Sequence, residues 1–294
     1  MDIDAAVRSD AVRPETGEIL APSGKGAGDE NFPVGSRLIA PQLRPHVMRY
    51  YAFARAADDI ADAPELTADE KIRRLDLLEA GFDAAATAPE LATRLRDSFA
   101  KTGVPVRRAT DLLIAFRADA RILRYPDWSA LMGYCANSAH PVGRFLLDLH
   151  GEDPETGPMG DALCAALQVL NHLQDLGDDR RRLDRVYLPQ DWMAAAGIDE
   201  TALDAPAASP GLRRVIDQCL DATDQLLDRA APLARAIRSR RLAAEVAVIQ
   251  RLARRLSTRL RREDPLAGRV KHRMSDLAVA LLAGLGRLAA LGRP

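Results

Sequence analysis

The sequence predicts an all-α fold, and three observations carry that expectation. The 294-residue chain is 47% apolar but only 4% aromatic, the balance of an Ala/Leu-rich helical protein with a large core. No alternating apolar–polar run longer than a few residues marks a strand, and no internal repeat of roughly 20–50 residues marks a solenoid. Apolar residues recur instead at helical spacing, and two separate acidic clusters repeat one i, i+4 geometry.

In chain order, residues 1–29 are rich in Asp, Gly, Pro and Ala with no apolar period. They read as a disordered tail, followed by a single domain over 30–294. The stretch Glu30-Asn31-Phe32-Pro33-Val34-Gly35-Ser36-Arg37 reads as a turn into the first core helix. Ser36 and the backbone N–H groups beside it suit an anion at a helix start, or simple capping. Pro41 to Pro45 breaks the chain. His46 to Asp62 is then one helix, with Pro45 suited to its first turn and Val47, Tyr50, Tyr51 and Ala54 as its buried stripe. Thr67-Ala68-Asp69-Glu70 is a capping-box pattern that opens a helix to about Thr87. Helices follow at roughly 89–102 and 106–124, the second carrying Asp111, Asp119 and Arg124.

Tyr125-Pro126-Asp127-Trp128 ends that helix and Ser129 starts the next. Pro141 and small residues inside the helical stretch 134–148 predict a kink near a cavity. His140, beside it, is either a satisfied structural histidine or an acid–base group. Residues 151–158 form a Gly/Pro loop. Gly160 to Gly177 is a strongly apolar helix ending in the second acidic cluster. Asp178 to Pro189 is polar and stops at its proline, and 195–211 is another loop. Helices near 212–229, 232–262 and 275–291 complete the chain.

Composition excludes several functions. A formal net charge of −1 argues against a generic nucleic-acid binder. Three widely spaced cysteines, Cys135, Cys164 and Cys219, form no CxxC and read as reduced core thiols of a cytosolic protein. The five histidines show no zinc spacing. The first 30 residues lack the apolar core of a secretory signal. No apolar run reaches the ~20 residues that span a bilayer. Leu277 to Leu291 comes nearest, and reads as a terminal packing helix or a membrane-surface contact. Arginines crowd 235–273. They form a solvated helix face or attract an anionic membrane surface, and Arg269 or Lys271 could instead cover a diphosphate.

The chemistry points to the acidic clusters. In Phe53-Ala54-Arg55-Ala56-Ala57-Asp58-Asp59-Ile60-Ala61-Asp62, Asp58 and Asp62 share one helix face. Like charges at that spacing repel, and a cation removes the penalty. In Asn171-His172-Leu173-Gln174-Asp175-Leu176-Gly177-Asp178-Asp179, Asp175 and Asp179 repeat the geometry, with Asn171 one turn earlier. Two facing helices carrying such sets would form a hard-oxygen site for Mg²⁺ and diphosphate. Arg55 borders the first set, where it contacts a diphosphate or neutralises Asp58 or Asp59. Asp59 and Asp178 face solvent, or pair with Arg55 and Arg182. No catalytic triad order, P-loop or dinucleotide fingerprint competes.

At these residues the sequence resembles the squalene/phytoene synthase family of head-to-head prenyl synthases. The resemblance covers almost all of 31–290. It rests on Tyr51, Arg55 and Asp58 to Asp62, on Arg124-Tyr125 followed by Tyr134-Cys135, on Gln168 to Asp179, and on Arg185-Val186-Tyr187-Leu188-Pro189. It implies the isoprenoid-synthase helical bundle around a central cavity, with aspartates on opposite walls and Mg²⁺ ions binding diphosphate. Two departures matter. Ser138-Ala139-His140-Pro141-Val142-Gly143 stands where many relatives have Val-Ala-Gly-x-Val-Gly, and Gln174 stands where many have Arg. Both features look like the branch that turns presqualene diphosphate into hydroxysqualene in bacterial hopanoid synthesis.

That resemblance implies Asp58, Asp62, Asp175 and Asp179 as catalytic metal ligands, with Asn171 completing the set. It implies Phe32, Ser36, Tyr51, Arg55, Tyr134, Gln168, Gln174, Arg185 and Tyr187 as substrate contacts, Arg55 and Arg185 drawing off the diphosphate. Phe32, Tyr51, Tyr134 and Phe145 would face the carbocation; the bland alternative for Tyr51, Tyr134 and Phe145 is ordinary core. Tyr187 contacts substrate or packs locally. The competing readings are a presqualene diphosphate, squalene or phytoene synthase condensing two prenyl diphosphates, and a non-catalytic helical protein of the same fold.

Overall fold

A computed structural model describes residues 38–83 and 88–290. The expected tail over 1–29, Phe32 and Ser36 lie outside the described residues. Thirteen α-helices occur among them: α1 (Arg44–Asp62), α2 (Ala68–Ala80), α3 (Glu90–Thr102), α4 (Arg107–Asp119), α5 (Trp128–Ser138), α6 (His140–Leu149), α7 (Gly157–Gln174), α8 (Leu176–Leu183), α9 (Gln190–Ala195), α10 (Pro210–Ala230), α11 (Leu233–Ala236), α12 (Arg240–Leu260) and α13 (Met274–Ala290). The all-α expectation holds, with one parallel pair of very short strands, β1 (Arg124–Tyr125) and β2 (Val186–Pro189).

Local signals set the helix starts. Thr67 accepts the Glu70 amide at 3.3 Å, and Asp127 accepts the Ala130 amide at 2.8 Å. Ser209 and Ser239 do the same for α10 and α12. Ser239 also explains a correction: the helix expected over 232–262 is two, because the chain extends at Ile237 and restarts at that cap. The stretch around Pro141 is likewise broken at Ala139 rather than kinked, and Pro141 sits in the first turn of α6. The helix expected to reach Thr87 ends at Ala80.

Two large apolar clusters fill the bundle, and a small third one joins α12 to α13. One joins α1 to α4 with α6, where Tyr50 stacks on Phe145 with centroids 4.0 Å apart. The larger one joins α5, α7, α10 and α12. All four residues of the expected α1 stripe line a cavity of about 330 Å³, Val47 and Tyr50 buried and Tyr51 and Ala54 half-buried. Its other walls come from α6, α7, α11 and α12. Cys135 and Cys219 are buried, Cys164 is half-buried, and all three are free thiols. No described helix is long and apolar enough to cross a membrane.

Candidate active site

The first acidic cluster occupies the last turn of α1, and no basic residue shares that turn. Carboxylates there sit at the negative end of the helix dipole, so their charge needs compensation from elsewhere. Arg55 supplies part of it, reaching Asp58 at 2.9 Å and pairing also with Asp59. Asp58 keeps 37% of its side chain accessible, next to the like charge of Asp62. Burial, with the charge of Asp62 added, pushes its pKa up to about 7 against the pull of Arg55.

Asp62 meets Arg185 at 2.6 Å. Arg185 is only 5% exposed and also donates to the carbonyls of Ala61 (3.0 Å) and Asp119 (3.1 Å). Its placement has a local cause. Asp184 adopts φ 51°, the left-handed region that Asp tolerates better than most residues. That one residue turns the chain from α8 into β2, and carries Arg185 to the end of α1 and Tyr187 to the end of α4.

Asp119, at the end of α4, is the hub. It is 5% exposed, and its two oxygens accept the hydroxyls of Tyr134 (3.0 Å) and Tyr187 (3.1 Å). Burial raises its pKa to about 6, opposed by Arg185 and both phenols. The Tyr187 ring stacks on His172, with centroids 3.6 Å apart. His172 Nδ1 lies 3.8 Å from Asp179, and Gln168 meets Nε2 at 3.2 Å. A continuous line of contacts thus joins Asp62, Arg185, Asp119, Tyr187, His172 and Asp179, and so links the two acidic clusters.

The second cluster straddles a helix junction. Asp175 ends α7 with φ −104°, so the expected single helix is two. The i, i+4 backbone bonds survive across it, from Asp175 to Asn171 (3.0 Å) and from Asp179 to Asp175 (2.8 Å). Arg269 grips Asp175 with two nitrogens, at 2.8 and 3.0 Å, while burial raises the Asp175 pKa against that pairing. Asp178 pairs with Arg181, not with Arg182.

The structure sorts the remaining expected contacts. Tyr51 and Phe145 line the apolar cavity. Tyr134, Gln168 and Tyr187 belong to the line of contacts between the clusters. Gln174 is 2% exposed, and its amide donates to the Val270 carbonyl, so it braces the segment that carries Arg269. His140 is half-buried, 3.9 Å from an Asp161 that Arg144 already holds at 2.7 Å, which fits the structural reading. Asp119 and His172 had been given no role from the sequence.

The donor set suits a hard cation: oxygens only, at the end of α1 and at the α7–α8 junction, with Asp58 short of compensating charge. No group of three or more His, Cys, Asp or Glu side chains converges as a metal site among the described residues. Mg²⁺ does not require one, since one or two carboxylates plus phosphate oxygens and waters usually hold it. Here arginines occupy three of the carboxylates that a metal would take, Asp58, Asp62 and Asp175.

Comparisons with known proteins place the chain in a family. The model of the squalene/phytoene synthase family matches residues 26–276. The chain belongs to that family. The hydroxysqualene synthase of Zymomonas mobilis is 44% identical over 90% of this chain and 91% of its own. That of Rhodopseudomonas palustris is 47% identical over 88% of each. Among solved structures, the squalene synthase HpnC of Alicyclobacillus acidocaldarius superposes with a TM-score of 0.69 at 32% identity, covering 78% of this chain and 87% of its own. The all-α bundle of this squalene/phytoene synthase therefore has solved counterparts at the level of the fold.

The hub gives a first testable expectation. A carboxyl whose pKa rises on folding favours the folded state while protonated. The Asp119 contribution is complete below the ordinary carboxylate range and is lost as pH rises through about 6. The stability of the metal-free protein minus that of Asp119→Asn should therefore fall between about pH 4 and about pH 6 in urea titrations and level off above about pH 7. A difference that stays flat with pH would show that this carboxyl does not change its proton affinity on folding.

Proposed function

We propose that the chain converts presqualene diphosphate and water to hydroxysqualene and diphosphate. The observation that carries this reading is the likeness, over nearly the full length of both chains, to relatives named hydroxysqualene synthase at 44% and 47% identity. Mg²⁺ held by Asp58, Asp62, Asn171, Asp175 and Asp179 would supply the positive charge that a departing diphosphate needs. Arg55 and Arg269 rest on carboxylates and can exchange them for diphosphate oxygens, a planar anion match that guanidinium makes well. Arg185 is buried between Asp62 and two carbonyls, so its part is to hold Asp62 in place.

In the reaction, the C–O bond breaks and its electron pair leaves with the diphosphate. The cyclopropylcarbinyl cation rearranges in the apolar cavity, where Tyr51 and Phe145 offer aromatic surface. A water oxygen then bonds the cationic carbon, and the surplus proton passes to solvent or to the departing diphosphate.

Incubation with Mg²⁺ and presqualene diphosphate, without a nicotinamide cofactor, should give hydroxysqualene as the main product, and a chelator should stop it. Inert presqualene diphosphate, together with turnover of farnesyl or geranylgeranyl diphosphate, would assign the chain to the condensing enzymes instead.

A further inference from the structure

Five of the ten large apolar side chains exposed among the described residues belong to α13: Met274, Leu277, Leu281, Leu282 and Leu285. The last three are 57%, 67% and 61% exposed. The buried side of the helix is Asp276, Ala280 and Gly284, spaced i, i+4, i+8. A Cβ at Gly284 would come within 2.7 Å of the Val248 side chain, so α13 lies close on α12 there. Asp276 locks the start of the helix through Arg259 at 2.7 Å. The seating is specific, and it leaves the leucines outward.

The charge beside this face is one-sided. A groove of about 730 Å³ between α11, α12 and α13 is lined by Arg235, Arg251, Arg254 and Arg287 and by no acidic side chain. Of these four, only Arg254 has an acidic partner among the described residues, Asp228 at 2.7 Å. The whole chain has a net charge of −1, so this excess is local. Exposed leucines beside arginines complement a bilayer with anionic headgroups: the apolar groups enter the acyl boundary and the guanidiniums reach the phosphates.

The position of the face adds a reason. α12 is a shared wall. Leu242, Val246 and Ile249 face the apolar cavity, whereas Ala247, Gln250 and Arg251 line the groove. We infer that the outer face of α13 and the adjoining arginine groove dock the protein on an anionic lipid bilayer, with the cavity one helix away from the lipid. An apolar product would then have a short route out of water. The docking surface itself does not depend on which product is made.

Co-sedimentation of the full chain with vesicles, without substrate, tests the inference. Vesicles of phosphatidylcholine with about 30% phosphatidylglycerol should bind the protein, and pure phosphatidylcholine should not. Added salt should weaken the binding. Arg251→Gln should cost about fivefold in partitioning. Leu281→Glu with Leu285→Glu should cost at least about tenfold, since each leucine loses its acyl contact. Both variants alter exposed positions, and helical circular dichroism checks their fold. Turnover in detergent should be unchanged in each. Absence of binding to anionic vesicles, or equal binding by the double variant, would overturn the inference. So would self-association that the double variant abolishes, which would assign the face to a second copy. So would a cross-link from position 282 to residues 1–37 in a chain that ignores vesicles.

Discussion

Replacing Asp58 by Asn is expected to lower kcat by ~10²–10³, the usual loss on removing one electrostatic stabiliser of a transition state, while raising the thermal stability of the metal-free protein. The two effects share one cause. Asp58 sits at the unfavourable end of the α1 dipole, one turn from Asp62, where burial and the charge of Asp62 push its pKa up to about 7. Above that pH, folding forces a charge into a place that resists it. The amide has similar shape and no charge, so the repulsion from Asp62 disappears. The same amide, being uncharged, holds Mg²⁺ more weakly than a carboxylate does. Steady-state kinetics with presqualene diphosphate and thermal melts in chelator, both above about pH 7.5, read the two effects. A variant that loses activity and stability together would make Asp58 a structural residue whose ion pair with Arg55 matters more than any metal.

Much of this site was legible in the sequence because helical spacing is local information. Asp58, Asp62, Asp175 and Asp179 announce themselves by the i, i+4 interval within apolar surroundings, and the α1 stripe follows from the same period. The capping pattern at Thr67 is short-range as well. What was not legible depends on chain reversal. Asp119 carries no pattern of its own, being one of 42 acidic residues; it becomes the hub only because β2 brings Tyr187 and Arg185 against the end of α4. That approach rests on a left-handed Asp184, a backbone state that no neighbouring residue advertises. Gln174 shows the opposite limit. The substitution was visible as a missing positive charge, but only the fold shows its amide tied to Val270, next to the arginine that reaches Asp175.

Arg185→Met is expected to cost about 3–5 kcal/mol of stability, the range for removing one partner of a buried ion pair. Three acceptors lose a donor at once: the Asp62 carboxylate and the carbonyls of Ala61, which keeps only Lys71, and Asp119. Water can replace part of the first, because a third of the Asp62 side chain is accessible, but the carbonyl bonds are buried. Arg185→Lys should recover less than half of the loss, since one ammonium on a flexible stem cannot hold three acceptors in the geometry of a guanidinium fork. Urea denaturation of the metal-free variants measures this directly. Kinetics on Arg185→Lys then separate two roles. If Arg185 mainly positions Asp62, kcat should fall and KM for presqualene diphosphate should stay near the wild-type value. If KM rises while stability drops by less than about 1 kcal/mol, Arg185 contacts the diphosphate itself, and the buried bonds of the metal-free state are a resting arrangement that substrate replaces.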